Sequence, residues 1–154
     1  MGPCYQRDRG GRAMSEVKVS ETVAAPAAKV WDVLGDFGGV MKWGGPMMQS
    51  CTLEGEGVGA VRRIGLAGAL EIAERCEAYD AAKRSLSYTI IGKSPIPIRD
   101  YHSTLTVTET GASECRVDWN GRFEPEGVGE EQAQNMVRGI YTGGVAGVRK
   151  LLGV

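Results

Sequence analysis

The chain has 154 residues, 42% of them hydrophobic, a formal net charge of −1 and a pI near 5.9. This length suits one domain with a sizeable core, and the nearly balanced charge gives no electrostatic basis for binding nucleic acid or an anionic membrane. The sequence has neither an unbroken apolar run long enough to span a membrane nor the apolar core of a signal peptide. We therefore expect a cytoplasmic protein without integral membrane association, acting as a monomer or a weak homodimer.

The cysteines are widely spaced and form no CxxC pair, and the chain has one histidine. This pattern predicts reduced thiols, with no metal site, no disulfide framework and no cofactor. Residues 1–13 are polar, rich in Arg and Gly and without periodicity, which predicts a disordered leader. We expect residues 14–154 to form a single domain, for which the resemblance given below implies ligand binding.

The first half of the domain combines one strand with two short helices. Residues 17–23 alternate between apolar and polar side chains, which predicts a half-buried strand. Pro26 suits a first helical turn, and apolar residues at helical spacing continue to Gly38. A second short helical piece is predicted at residues 40–43.

The segments that follow are short, rich in β-branched or aromatic residues, and separated by turn signals. They predict six further strands, at residues 48–54, 58–65, 70–79, 85–92, 100–110 and 114–124. This order of elements is typical of an α+β fold in which an antiparallel meander curls around one helix.

The terminal stretch, residues 128–152, predicts a long amphipathic helix, because its apolar residues recur at spacings of three and four. The stripe comprises Val137, Ile140, Tyr141, Val148 and Leu151. Gly139, Gly143, Gly144 and Gly147 interrupt this helix, and Gly144 falls at the centre of the stripe with Gly147 beside it. Two interpretations stay open: the glycines allow close backbone packing, or they form one wall of an internal cavity.

Several segments together carry a family resemblance across residues 16–153. They are Val23-Ala-Ala-Pro-Ala-Ala-Lys-Val-Trp-Asp-Val-Leu, Trp43 with Pro46, Glu54-Gly-Glu-Gly-Val-Gly-Ala-Val-Arg, Glu74-Arg-Cys-Glu and Arg99-Asp-Tyr-His-Ser. This pattern resembles the helix-grip superfamily of START lipid-binding domains, birch-pollen-type allergens and polyketide cyclase/dehydrase-like proteins. It is also similar to the plant abscisic-acid receptors, although Gln49 stands where those receptors place a ligand-pairing lysine. The resemblance implies a curved seven-stranded sheet wrapped around the terminal helix, with a chamber for an apolar small molecule between them.

Glu74 is the one charge on an otherwise apolar face of the strand at residues 70–79. A carboxylate facing the interior must be neutral, bridged by water or paired. Arg63 on the neighbouring strand is the expected partner, and a register shift of one residue would substitute Arg62. The resemblance places Glu74 and Arg63 in the ligand chamber, whereas a carboxylate at the surface edge is the simpler alternative.

Alternation assigns further residues to the interior. Tyr101 and Ser103 face inward, either toward a ligand or to complete internal hydrogen bonds, and His102 faces outward. Trp119 and Phe123 are placed inward unless a bulge reverses the register. The full candidate ligand-binding set is Trp43, Arg63, Glu74, Tyr88, Ile90, Tyr101, Ser103, Trp119, Phe123, Val137, Ile140, Tyr141, Gly144 and Val148.

Three functions are compatible with these residues. The first is a carrier or sensor of a hydrophobic small molecule of lipid, polyketide or isoprenoid type. The second is a polyketide cyclase/dehydratase-type enzyme with Glu74 as general acid/base. The third is a closed-core protein that acts through its surface. The first is favoured, because the sequence has no nucleophile with an activating base, no phosphate loop and no metal cluster.

Overall fold

The computed structural model describes residues 14–154, and the predicted leader lies outside these described residues. The predicted order of elements is confirmed. The elements are β1 (Ser15–Val23), α1 (Ala27–Leu34), a 3-10 turn (Val40–Lys42), β2 (Met48–Glu54), β3 (Val61–Leu66), β4 (Leu70–Asp80), β5 (Ser85–Ile91), β6 (Ile98–Gly111), β7 (Glu114–Pro125) and α2 (Glu130–Leu152).

All seven strands form one antiparallel sheet in the order β1-β7-β6-β5-β4-β3-β2. The sheet curves around α2, which packs against β1 and β7. This is the helix-grip arrangement, so the predicted α+β fold class is confirmed. Within residues 14–154, no helix has both the length and the apolarity needed to cross a membrane.

The start of β3 differs from the prediction by three residues. Gly57 and Gly59 have φ angles of 61° and 92°, values that a regular strand does not contain. The chain therefore turns through this segment, and the strand begins at Val61.

The terminal helix α2 is closed at its carboxyl end by Gly153, whose φ of 72° suits a left-handed cap and whose N–H reaches the carbonyls of Arg149 and Lys150. Its buried face contains Val137, Tyr141, Gly144, Val145 and Val148. The placement of Ile140 and Leu151 on this face is wrong, because the two side chains are 42% and 46% exposed. The observed stripe is narrower than the sequence pattern and excludes both positions.

The glycines of α2 serve close packing and do not border a cavity. A Cβ built on Gly144 would lie 2.7 Å from the Trp119 ring and 3.1 Å from the Trp43 ring, and one on Gly147 would overlap the backbone carbonyl of Trp43. The expectation that Gly144 lines an open wall is therefore wrong. Two tryptophans occupy the space that the missing side chains leave.

Aromatic side chains fill the space between the sheet and α2 around Gly144. Trp119 stacks on Tyr141 with ring centroids 5.0 Å apart, and Trp43 meets Trp119 edge-on at 5.5 Å. Phe123 and Val137 are also fully buried. Dense aromatic packing replaces the expected chamber at this level of the fold.

Alanine substitutions in α2 test this packing. We expect Gly147→Ala to lower the free energy of unfolding by ~1–3 kcal/mol, because the added methyl group would overlap Trp43. Gly143→Ala is the matched control: nothing lies within 4 Å of a Cβ built there. This control should raise the free energy of unfolding by ~0.5–1 kcal/mol through helix propensity. Urea denaturation measures both values, and equal stabilisation by the two substitutions would contradict the packing.

Candidate functional site

A buried ion pair joins β3 to β4. Arg62 and Glu74 are directly opposed in the register of these strands, and Arg62 Nε donates to Glu74 Oε1 at 2.9 Å. Their side chains are only 5% and 9% exposed. A charge pair withdrawn this far from water must be held by specific partners, because desolvation opposes it. The expectation that Glu74 faces inward is therefore correct.

The partner of Glu74 is Arg62, and the preferred assignment of Arg63 is wrong. Ile64 is buried, and alternation along β3 places Arg62 on the same inward face. Arg63 points outward, where its half-exposed side chain meets Glu54 at 3.2 Å and Glu71 at 3.4 Å. Since Arg63 lies on the outer face of the sheet, it cannot belong to an interior site.

Two aromatic rings enclose the Arg62 guanidinium. Its Cζ lies 4.1 Å from the centroid of the Phe37 ring and 4.8 Å from that of Tyr88, both within cation–π range. Arg62 Nη1 also donates to the backbone carbonyl of Phe37 at 3.2 Å. Burial is the largest single influence and lowers the pKa of Arg62, but attraction to Glu74, the nearby Tyr88 and the hydrogen bond to Glu74 together outweigh it and raise the pKa above its usual value. Arg62 therefore stays cationic.

A network of hydroxyl groups lies beside the ion pair. The Tyr101 and Tyr141 hydroxyls are 2.5 Å apart, and Tyr141 donates to Ser103 Oγ at 3.1 Å. Ser103 Oγ donates to the Asn120 carbonyl at 3.0 Å. Burial raises the pKa of both tyrosines above the usual range, so their hydroxyls are neutral. Tyr101 and Ser103 do face inward, and in this structure they form internal hydrogen bonds.

Tyr88 connects this network to the ion pair. Its hydroxyl accepts a hydrogen bond from Trp119 Nε1 at 3.1 Å. Burial raises the pKa of Tyr88, and the negative charge of Glu74 raises it further. Trp43 is also buried, and its indole Nε1 has no hydrogen-bond partner among the described residues.

The other candidate residues divide between the core and the surface. Trp119, Phe123, Val137 and Val148 are fully buried and face inward. Ile90 is half-buried against the core. Exposed Ile140 cannot line an interior site. His102 lies on the outer face as predicted, with Nδ1 2.6 Å from Glu77 Oε1.

The structure has a groove of about 440 Å³ that opens between the carboxyl end of α1 and the β2–β3 turn, with β4 behind it. We call this the α1 groove. Its lining residues are Trp31, Asp32, Gly35, Asp36, Phe37, Leu53, Glu56, Gly57, Ala60, Cys76 and Tyr79. One of these lining residues, Phe37, also covers the ion pair, because its ring lies against Arg62.

An irregularity in β4 shapes the aromatic side of the groove. The β4–β5 register shifts between Cys76 and Ala78. The side chains that follow the shift therefore lie on the opposite face of the sheet from the one that simple alternation assigns them. Simple alternation along the strand would place Ala78 on the same face as Glu74, but Ala78 is exposed, and Tyr79 turns toward α1 instead. Its ring lies 5.5 Å from that of Trp31, measured between centroids.

Sequence reasoning missed the α1 groove. Trp31 and Phe37 are among the apolar residues whose helical spacing predicts α1, and that spacing gives no sign of a groove. Strand β3 did contain a usable signal. Ile64 is an apolar residue expected to face inward, and Arg62, two positions earlier, must lie on the same face of the sheet. This shared face would have predicted the ion pair of Arg62 with Glu74.

Comparison with known proteins agrees with this architecture. Residues 14–153 match the family model described as polyketide cyclase / dehydrase and lipid transport. A protein from Bacillus thuringiensis is 30% identical, with 88% of this chain and 97% of that chain covered and a TM-score of 0.80. The protein XoxI from Bacillus cereus is 29% identical, with 88% and 94% covered and the same TM-score of 0.80.

Norcoclaurine synthase from Thalictrum flavum, solved in complex with dopamine and hydroxybenzaldehyde, is more distant. It is 17% identical, with 90% of this chain and 86% of that chain covered and a TM-score of 0.70. At this identity the likeness shows a shared fold alone.

Single substitutions of the two adjacent arginines test the assignment of the ion pair. We expect Arg62→Met to lower the free energy of unfolding by about 3–5 kcal/mol, because Glu74 would be left buried without its partner. Arg63→Met should change it by less than about 1 kcal/mol, because its ion pairs are exposed to solvent. Chemical denaturation of the two variants under identical conditions compares them. A larger loss in the free energy of unfolding for Arg63→Met would indicate that Arg63, and not Arg62, is the buried partner of Glu74.

Proposed function

Since this chain belongs to the polyketide cyclase / dehydrase and lipid transport family, we propose that it binds an apolar small molecule of lipid, polyketide or isoprenoid type, as a carrier or sensor. The proposed site is the α1 groove together with the ion pair behind Phe37. The observation that carries this proposal is an open, largely apolar groove placed directly against a buried charge pair.

The groove has the properties of a small-molecule site. Its volume of about 440 Å³ falls within the usual range of roughly 300–1,000 Å³ for ligand pockets. Phe37, Leu53 and the Trp31–Tyr79 pair supply apolar surface, and three carboxylates supply the charged groups of the lining. Such a combination favours ligands that bury an apolar body and orient one polar end.

The filled interior explains why the groove is preferred over the space between the sheet and α2. A ligand at that level would have to displace the stacked Trp119 and Tyr141 rings and break the Tyr101–Tyr141 hydrogen bond. Entry at the α1 groove needs no such change. Rotation of the single Phe37 side chain would extend the groove toward Arg62 and Glu74.

A pair of leucine variants tests the groove. Leu53 lines it and is 45% exposed, whereas Leu70 is 52% exposed at the start of β4 and lies outside it. We expect Leu53→Asn to weaken binding of the neutral fluorescent probe N-phenyl-1-naphthylamine by about 3- to 10-fold, because apolar contact area is lost. Leu70→Asn, the matched control, should change it by less than about 2-fold. Equal effects, or no binding of the probe by the wild-type protein, would contradict the proposal.

A second candidate function is a cyclase/dehydratase-type reaction. The specific observation in its favour is that Glu74 is a buried carboxylate, held by Arg62 and close to the neutral hydroxyl of Tyr88. A carboxylate in this setting could remove a proton next to a carbonyl group, and the cationic Arg62 could stabilise the enolate that forms. This chemistry requires the substrate to pass Phe37.

Glu74→Gln separates the two candidates, because the amide keeps the shape of the side chain but cannot accept the proton. A carrier should keep its probe affinity within about tenfold. A catalyst should lose about 10²-fold or more in rate. The rate can be followed by NMR as exchange of the α-protons of an aromatic ketone in D₂O. No exchange above the solvent rate with the wild-type protein would exclude that ketone as a substrate, and an unchanged rate in the variant would exclude Glu74 as the base.

A further inference from the structure

We infer that the α1 groove selects an organic cation: a molecule with an apolar or aromatic body and a protonated amine or quaternary ammonium group at the mouth of the groove. This inference rests on the proposed function, and it names the class of ligand for that same site.

The first argument is the charge of the lining. Asp32, Asp36 and Glu56 are its charged residues, and all three are exposed carboxylates. Within the described part of the chain, residues 14–154, the groove lining contains no lysine, arginine or histidine. Low-dielectric walls beside a set of like charges concentrate the electric field of that sign in the opening. A cation entering the groove is therefore attracted, and a fatty-acid carboxylate is repelled.

Nearby basic groups do not cancel this field. Lys42 lies 3.6 Å from Asp36, but both side chains are largely exposed, and such pairs are weak and mobile. Arg62 lies behind the Phe37 ring and is already paired with Glu74, so the two charges compensate each other. Among residues 14–154, Asp32 and Glu56 form no ion pair, so their charges remain at the mouth of the groove.

The second argument is the presence of aromatic rings in the groove lining. Trp31 and Tyr79 are close, with ring centroids 5.5 Å apart and planes tilted by 40°. Both residues line the groove, and Tyr79 is partly exposed to solvent. The faces of such rings attract ammonium groups within roughly 6 Å, with tryptophan the strongest. Trp31 is only 9% exposed, so the aromatic surface that an entering ammonium group meets first is the ring of Tyr79, which shares the opening with the carboxylates.

A matched pair of probes tests this inference. Benzyltrimethylammonium and neopentylbenzene have the same shape and differ by the positive charge. Each is titrated against protein that carries bound N-phenyl-1-naphthylamine, and loss of probe fluorescence reports displacement. We expect the cation to displace the probe at a concentration about 5-fold lower or more, and this advantage to shrink when the salt concentration rises to about 0.5 M.

Variants assign the effect to the mouth of the groove. In the double variant Asp32→Asn/Glu56→Gln, the preference for the cation should fall to within about 2-fold, while the neutral isostere is unaffected. Both positions are exposed, so the fold should not change. Glu109→Gln, which removes an exposed carboxylate of β6 outside the groove, is the control and should keep the full preference.

The outcomes distinguish the inference from the proposed function. If N-phenyl-1-naphthylamine binds but the two compounds displace it equally, or the isostere displaces it better, cation selection is overturned and the apolar groove stands. A preference that persists in the double variant also overturns it. If the probe does not bind at all, the proposed function and the inference fail together.

Discussion

The buried pair of Arg62 and Glu74 is the interaction on which the rest of this site depends. Its charges are removed from water at a considerable desolvation cost, so the surrounding groups must hold them in place. The opposed positions in β3 and β4 supply the contact, and the rings of Phe37 and Tyr88 enclose the guanidinium. Because Arg62 also binds the Phe37 carbonyl, the pair fixes the segment after α1 to the sheet. Phe37 also lines the α1 groove, so this connection holds one wall of the groove to the sheet.

The second constraint is the closure of the helix–sheet interior. In a helix-grip fold a ligand chamber can lie between α2 and the sheet, but here Trp43 and Trp119 occupy the space left by Gly144 and Gly147. The tyrosine network adds hydrogen bonds across the same level. The glycines of α2 therefore allow aromatic side chains to approach the helix backbone, whereas the α1 groove opens at the end of α1.

Much of the fold could be predicted from the sequence, because strand alternation, turn residues and the helical stripe of α2 are local signals. The inward positions of Glu74, Trp119 and Phe123 followed from the same alternation. The partner of Glu74 did not, because the glycines at 57 and 59 made the start of β3 ambiguous by the one residue that separates Arg62 from Arg63. The groove could not be predicted either. It combines the end of α1 with Tyr79, whose side chain is directed toward α1 by a register shift in β4. Whether a glycine borders a void or a neighbouring ring depends on tertiary packing, which no local pattern encodes.

The central claim is that a ligand enters at the α1 groove and lies against the wall that covers Arg62. Intermolecular nuclear Overhauser contacts between bound N-phenyl-1-naphthylamine and the side chains of the protein test this claim most directly. If the ligand lies in the α1 groove, we expect contacts to the Leu53 methyl groups and to the rings of Trp31, Phe37 and Tyr79. Contacts instead to the methyl groups of Val137 and Val148 on α2, without any to Leu53, would contradict it.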